Sequence, residues 1–475
     1  MTARRRVDEH SAMTALERLA GTLVVLALVA ACGPTAEALH PTLPPRASHV
    51  PGTPVLPSGR SGGEESTPPN DESLAPATTP SGSATAPSAP AGSATPASSA
   101  TPPPPGIGEQ ITGFPATDAF EVTGVVPIAD GFLAVGFGPM PGQGYFGLRQ
   151  GIVWTSTDGT TWQESVEPAF ANITLTDVVT LGSDIYVFGD LSMCDQAIDP
   201  NCVDNPTGGT VVYRSSNGGG WEQLQQTPDM QRATFDGVKA SDSLLVAWGS
   251  AGDQDETTTL WTSSDGLAWT AATDLAGMDP VDAAAAGGPG LLAFGTSYDD
   301  QSDQLSLIGA TSSNGSQFTA ATVPSVPTGE IDDIANGPSG YVGVGYAESD
   351  VDPSIALVLS SADGLTWTQS APSDNSFENA LMSEIHPAAN EYVAVGSTLD
   401  QDDPTLQTLR AWASADGHSW RSAGDIGGPF TQYGASALGS NGLVVFTADQ
   451  NDIENGVDVT STINAWLIPL DRLTP

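Results

Sequence analysis

Trp154-Thr155-Ser156-Thr157-Asp158-Gly159-Thr160-Thr161-Trp162 is the stretch that decides the fold, because variants of it recur along the chain. Each copy has the form Ser-x-Asp/Asn-Gly-x-x-aromatic, and the copies span residues 154–162, 213–221, 261–269, 310–318, 359–367 and 412–420. Their acidic or amide positions, which we interpret as structural, are Asp158, Asn217, Asp265, Asn314, Asp363 and Asp416, spaced 48 to 59 residues apart. A period of this length predicts an array of small repeated units.

A short apolar run precedes each copy of this motif. The runs begin at Phe132, Ile185, Leu245, Leu291, Tyr341 and Tyr392 and end in glycine, while a seventh, Leu443–Thr447, lacks the glycine. Runs rich in β-branched and aromatic residues are typical of buried strands, and an Asp-Gly or Asn-Gly pair between two runs favours a tight hairpin. Each repeat is therefore expected to contain four strands, a to d.

Four-stranded repeats of about 50 residues predict an all-β fold, a β-propeller in which each repeat forms one blade. Seven blades fit the repeats best, and six or eight are the alternatives. The seventh repeat ends after its third strand, so Gln110–Phe114 are expected to supply its fourth. Pairing of the N- and C-terminal strands would close the ring without an exposed terminal edge.

The recurring motif resembles the Asp box of sialidase-like (BNR-repeat) propellers, although one residue is missing between Asp and Gly. In that family the box is a structural hairpin on the face opposite the active site, so the resemblance implies the fold rather than an activity. Sialidases hold a carboxylate with three arginines and use a tyrosine-glutamate pair with an aspartate. The bases after residue 106 are Arg149, Arg214, Arg232, Lys239, Arg410, Arg421 and Arg472. Only Arg149 and Arg232 are expected near the functional face, so no catalytic residue is assigned.

The N-terminal segment predicts export and a lipid anchor. Arg4–Arg6 precede an apolar run of 13 residues, Leu19–Ala31, which is shorter than the roughly 20 residues that span a bilayer. Val29-Ala30-Ala31-Cys32 resembles the lipobox of bacterial lipoproteins, which implies lipidation of Cys32 and attachment to the outer side of the cytoplasmic membrane. An ordinary secretory signal with an incidental cysteine is the alternative, and translation starting at Met13 is a second possible beginning. Residues 1–31 are thus predicted to be a signal peptide.

Residues 32–106 consist largely of Pro, Ser, Thr, Ala and Gly without apolar periodicity, which predicts a disordered tether ahead of the propeller at 107–475. The remaining cysteines, Cys194 and Cys202, lie in one predicted loop. Because exported proteins keep disulfides, we predict a bond between them; a metal pair is the alternative, and no histidine lies nearby.

The formal net charge of −43 excludes nucleic acid and anionic lipid headgroups as ligands of the domain. Acids concentrate in the loops between strands b and c. A further series, Asp177, Asp236, Asp282, Asp333 and Glu384, stands twelve or thirteen residues before the glycine of each strand b. These five residues are expected around the mouth of the central channel. They would either accept hydrogen bonds from neighbouring blades, bind a cation such as Ca²⁺, or bind a basic protein or peptide.

Two function classes follow. The first is a lipid-anchored cell-surface binding or scaffold module that uses its acidic b–c loop face, with a basic protein, a peptide or a glycan as partner. The alternative is an extracellular glycan-acting hydrolase of sialidase-like fold that lacks the arginine triad.

Overall fold

The computed structural model describes residues 106–473 with short gaps. The gaps are 117–118, 142–147, 192–208, 228–229, 242, 253–256, 288–289, 300–303, 327, 348–353, 373–374, 401–406 and 451–460. Residues 1–105 and 474–475 also lie outside the described part. The predictions for the signal peptide, the tether, Cys32, Cys194, Cys202 and most acids of the b–c loops therefore concern residues outside it.

The described residues form a seven-bladed β-propeller, as the repeats predict. Every blade is an antiparallel sheet with its strands in the order a, b, c, d. The a strands contact one another in chain order, and that of blade VII returns to that of blade I. These seven strands therefore surround a central channel.

The first four blades have the following strands. Blade I contains β2 (Glu121–Ile128), β3 (Gly131–Pro139), β4 (Arg149–Ser156) and β5 (Gln163–Ser165); blade II contains β6 (Ile173–Leu181), β7 (Asp184–Leu191), β8 (Thr210–Ser215) and β9 (Glu222–Leu224); blade III contains β10 (Ala233–Ser241), β11 (Leu244–Ala251), β12 (Thr257–Ser263) and β13 (Thr270–Ala271); and blade IV contains β14 (Val281–Gly287), β15 (Gly290–Asp299), β16 (Gln304–Ser312) and β17 (Thr319–Ala320).

The last three blades follow the same order. Blade V contains β18 (Gly329–Gly337), β19 (Gly340–Ala347), β20 (Ile355–Ser361) and β21 (Thr368–Gln369); blade VI contains β23 (Ala380–Pro387), β24 (Tyr392–Leu399), β25 (Gln407–Ser414) and β26 (Ser419–Phe430), with β22 (Ala371–Pro372) parallel to β26; and blade VII contains β27 (Gln432–Gly439), β28 (Gly442–Gln450), β29 (Ser461–Ile468) and β1 (Glu109–Gln110). Helical structure in the described part is limited to 3₁₀ turns at Pro168–Phe170 and Met230–Arg232 and one turn at Leu470–Leu473. None of these helical segments has the length and apolar character needed to cross a membrane.

The ring closes through the N-terminal strand, as the incomplete seventh repeat predicts. Glu109 pairs with Leu467 and Gln110 with Trp466, so β1 is strand d of blade VII. Phe114 then packs where blades VII and I meet, with ring centroids 5.5 Å from Trp154 and 5.1 Å from Phe446. The start of the described chain is thus built into the last blade.

Apolar side chains fill the space between blades. Within the described residues, seven hydrophobic clusters form, one between each pair of neighbouring blades. The b strands supply residues to both sides, because successive side chains of a strand point to opposite faces. The cluster between blades V and VI contains the fully enclosed Tyr392, Trp412 and Trp420.

The Asp boxes form the c–d hairpins of blades I to VI. In blade III the Asp265 carboxylate accepts hydrogen bonds from the amides of Leu267 (2.9 Å) and Ala268 (3.0 Å). The box glycine has a positive φ in all six hairpins, between 71° and 81°, which glycine adopts at little cost. The hairpins and the b–c loops lie at opposite ends of strand c. The Asp-box face and the b–c loop face of the propeller are therefore opposite each other.

Candidate functional site

Every a strand contains a one-residue β-bulge, and the bulge determines which carboxylates enter the channel. The register shifts lie between Val122 and Gly124, Leu175 and Asp177, Phe235 and Gly237, Val281 and Ala283, Ile331 and Asp333, Met382 and Glu384, and Tyr433 and Ala435. Asp236 and Asp282 are themselves the extra residues of their bulges. Asp177, Asp333 and Glu384 instead follow the bulge. The predicted series therefore comprises two sets. Asp236 and Asp282 stand thirteen residues before the glycine of strand b, whereas the other three stand twelve residues before it.

The three carboxylates that follow a bulge bond the next blade. Asp177 accepts a hydrogen bond from the amide of Val238 (2.9 Å). Asp333 accepts one from Ile385 (3.0 Å), and Glu384 accepts one from Ser436 (2.9 Å). Hydrogen bonding to neighbouring blades, one of the three expected roles, is therefore shown by the structure for these carboxylates.

Lys239, the only lysine of the chain, lies among these same carboxylates. Its Nζ is 3.1 Å from Oδ1 and 3.2 Å from Oδ2 of Asp333, whose side chain is 4% exposed. Partial burial opposes the charge of Lys239, whose side chain is 41% exposed, but Asp333, Glu384 and Asp177 outweigh this effect and raise the pKa of the ammonium above its ordinary value. Burial raises the pKa of Asp177 to about 7, although Lys239 and two backbone amides act in the opposite direction.

Glu384 belongs to a second polar group on blades VI and VII. The hydroxyl of Ser436 donates to Oε2 of Glu384 at 2.5 Å and lies 2.7 Å from Nε2 of His386. Burial alone would raise the pKa of Glu384. The hydrogen bond and charge of His386, the charge of Lys239 and the Ser436 bond together lower it below its ordinary value.

Four carboxylates lie on the first halves of the a strands of blades III to V. We call them the mouth cluster; they are Asp236, Asp282, Glu330 and Asp332. Burial raises the pKa of Asp282 to about 8, with the charges of Glu330 and Asp236 adding to the effect. Burial raises the pKa of Asp332 well above its ordinary value, and the charges of Glu330 and Asp282 add to this effect. Oδ2 of Asp282 is enclosed and has no hydrogen-bond partner among the described residues. The hydroxyl of Tyr346 donates to Glu330 at 2.9 Å.

Sequence reasoning missed Asp332, Glu330, Lys239, His386 and Ser436. A signal existed for Asp332, because it also stands thirteen residues before the strand-b glycine of its blade, Gly345. Lys239 and His386 occupy the same register position in blades III and VI, three residues after the bulge residue. An alignment of the repeats on their bulges would have exposed that correspondence.

The structure does not bring the five predicted carboxylates together as one metal centre. Within the described ranges, no three His, Cys, Asp or Glu side chains form a group able to hold a metal ion. Calcium therefore stays a prediction. The Asp-box residues lie at the other face, where backbone amides lower the pKa of Asp158, Asp265, Asp363 and Asp416.

Four arginines lie on the strands or tail expected for them. Arg214 pairs with Glu222 (3.0 Å), Arg410 with Asp425 (2.6 Å) and Arg472 with Glu109 (2.6 Å), while Arg421 donates to the Leu473 carbonyl (2.7 Å). Arg149 begins β4 and lies 4.9 Å above the ring of Phe120. The first four arginines therefore lie on the rim and tail of the propeller. Arg149 and Arg232 stand at the b–c loop end, as expected, with Arg232 directly before β10.

Comparison with known proteins finds structural similarity at low identity and no match in sequence. No protein-family description matches the chain, and no curated protein sequence does. Similar solved structures include the Trypanosoma rangeli sialidase (13% identity, 75% of this chain and 55% of that one, TM-score 0.39). They also include Penicillium chrysogenum α-L-arabinanase (12%, 78% and 100%, TM-score 0.44) and the Aleuria aurantia lectin (11%, 66% and 99%, TM-score 0.36). The chain spans about half the length of the sialidase.

Proposed function

We propose that the domain is a binding module that holds a cationic group of a protein or peptide at the mouth of its channel. The observation that carries the proposal is the enclosed Oδ2 of Asp282, without a hydrogen-bond partner among the described residues and beside Glu330 and Asp332. Lys239 is bonded to Asp333 instead. Lys239 therefore does not satisfy the enclosed Oδ2 atom of Asp282.

A cationic ligand suits this geometry better than a shared metal ion. An ammonium or guanidinium group bonds carboxylates one at a time, so three side chains need not converge on one point. Charge-assisted hydrogen bonds are about twice as strong as neutral ones. A buried polar atom without a partner costs about 1–3 kcal/mol, which a bond from the ligand to Asp282 would recover.

The experiment compares the affinity of a deca-lysine peptide for the wild type, for Asp282→Asn/Asp332→Asn and for the control Asp363→Asn/Asp416→Asn. Both double variants remove two carboxylates, but the control removes them from the Asp-box face. We expect the mouth variant to bind about tenfold more weakly, which corresponds to about 1.4 kcal/mol. Equal affinities of the two double variants would mean that the peptide responds to net charge alone and would overturn the proposal.

Calcium at Asp177, Asp236, Asp282, Asp333 and Glu384 is tested in the same preparations. Thermal unfolding with calcium and with chelator, at fixed ionic strength, is compared between the wild type and Asp282→Asn/Asp333→Asn. A ligand present at a hundredfold excess over Kd stabilises the folded state by about 2.7 kcal/mol. An equal response of both proteins would remove the calcium prediction.

A glycan-acting hydrolase is the second candidate, and the pKa pattern favours it. Asp282 and Asp332 have raised pKa values, whereas that of Glu384 is lowered. General acid and base catalysis of glycoside hydrolysis requires one protonated and one ionised carboxyl group. Turnover of a panel of polysaccharides that disappears in Asp282→Asn would support this function. Lack of turnover across the panel would exclude these substrates.

The location that we propose is the outer side of the cytoplasmic membrane, with the lipid on Cys32 as anchor. Cys32→Ala should leave the protein unacylated and release it into the soluble fraction, because Val29-Ala30-Ala31-Cys32 carries the lipidation signal. The measurement is fractionation after a salt wash, with Cys194→Ala as the matched control. Retention of Cys32→Ala in washed membranes would contradict the anchor.

A further inference from the structure

The side chain of Lys239 crosses the central channel. Lys239 belongs to β10 of blade III, and its partner Asp333 belongs to β18 of blade V, so the a strand of blade IV lies between them in the ring. That strand, β14, contains four consecutive alanines, Ala283–Ala286. Ala283 and Ala285 pack in the cluster between blades IV and V, and Ala284 packs in the cluster between blades III and IV.

The carboxylates around the ammonium come from three blades. Asp333 contacts it directly, and the charges of Glu384 of blade VI and Asp177 of blade II act on it as well. Backbone amides of the next blades hold each of the three in place, as described above. The ammonium therefore occupies a position with prearranged negative charge rather than a chance contact on the surface.

The position also lies deeper in the channel than the mouth cluster. Strand a runs from the b–c loop face towards the Asp-box face, and Lys239 stands three residues beyond the bulge residue Asp236. A lysine suits such a place because its ammonium is a compact charge at the end of a flexible stem, whereas a guanidinium is a broad planar group.

We propose that Lys239 is the resident cation of the channel beneath the mouth, and that Asp177, Asp333 and Glu384 form a binding site for one ammonium group. This inference does not rest on the proposed function. Its consequence is that a ligand entering from the b–c loop face meets the ion pair of Lys239 and Asp333.

The first experiment is chemical rescue in the full-length chain. Lys239→Ala should lower the melting temperature by about 5 °C, because the buried Asp333 loses its partner. Ethylammonium chloride should restore most of that loss in Lys239→Ala, while tetramethylammonium chloride at equal ionic strength should not. The control is Arg214→Ala, which removes an exposed pair on the rim. Equal responses of the wild type, Lys239→Ala and Arg214→Ala to ethylammonium would overturn the proposal.

A second measurement uses the wild-type chain, so it does not depend on whether Lys239→Ala folds. Lys239 is the only lysine of the sequence, so mass spectrometry can measure the extent of lysine acetylation at this one residue. We expect acetylation of Lys239 to be slower in the folded protein than in urea, because the bond to Asp333 keeps the ammonium in its protonated, unreactive form. Equal rates in the folded and unfolded chain would show that the ammonium is not held by these carboxylates.

Discussion

Asp333→Ala should lower the free energy of unfolding by about 3–5 kcal/mol, because two buried backbone amides lose their acceptor at about 1–3 kcal/mol each and the partly exposed ammonium of Lys239 loses its partner. The carboxylate is almost fully buried and bonds three groups. These are the ammonium of Lys239 (3.1 Å), the amide of Ile334 (2.7 Å) and the amide of Ile385 in the next blade (3.0 Å). Asp333→Ala would leave all three groups without this acceptor. The loss of stability should appear as a lower midpoint concentration of guanidinium in an unfolding experiment.

Asp332→Ala is the matched control, because Asp332 is the adjacent residue of the same strand. The unfolded chain releases the proton of Asp332 near its ordinary pKa of 3.8, whereas the folded protein keeps this proton at a higher pH. Asp332 therefore lowers stability as the pH rises above about 4. Its removal should leave stability unchanged or higher at pH 7. A loss as large as that of Asp333→Ala would contradict the distinction between the two sets of carboxylates.

Trp420→Ala should cost about 3–5 kcal/mol, as truncation of large buried aromatic side chains does. Trp420 is 1% exposed and packs with Tyr392, Trp412 and Phe377 in the cluster between blades V and VI. Its indole also donates to the carbonyl of Gly417 in its own hairpin (3.1 Å). The change therefore removes a core contact and a turn contact together, which guanidinium unfolding measures.

Asp416→Ala tests the turn part of that effect alone. The exposed Asp416 carboxylate accepts hydrogen bonds from the amides of His418 (2.8 Å) and Ser419 (2.6 Å). Losing them should cost about 1–2 kcal/mol and leave deca-lysine binding intact. A loss of stability equal to that of Trp420→Ala would mean that the hairpin, rather than the aromatic core, dominates at this position.

The blades could be predicted from the sequence because their signals are short-range. A hairpin motif such as Asp265-Gly266 and the apolar run before it lie within one repeat, and the recurrence of both determines the architecture. Closure of the ring was also predictable, since strand d was missing from the last repeat and Gln110–Phe114 offered a replacement. Glu109 and Gln110 pair with β29, which confirms closure of the ring, although Gln110 is the only residue of the predicted segment that lies in the strand.

The channel was less predictable because it depends on register and on contacts across the ring. The difference between spacings of twelve and thirteen residues appeared to be variation within one series, but a bulge separates Asp236 and Asp282 from Asp177, Asp333 and Glu384. The pairing of Lys239 with Asp333 joins residues 94 positions apart in non-adjacent blades. No local pattern marks such a pair, so the counter-charge of the channel was assigned to an external cation.

The measurement that tests the central claim most directly is the proton balance of cation binding at the mouth. Asp282 has a pKa of about 8, so at pH 7 it is mainly protonated, and an ammonium group that bonds it as a carboxylate must displace the proton. Titration calorimetry with deca-lysine at pH 7, in phosphate and in Tris, should give heats that differ by the number of protons released multiplied by the difference between the ionisation enthalpies of the two buffers. The difference should vanish in Asp282→Asn/Asp332→Asn. Equal heats in both buffers for the wild type would contradict binding of a cation at Asp282.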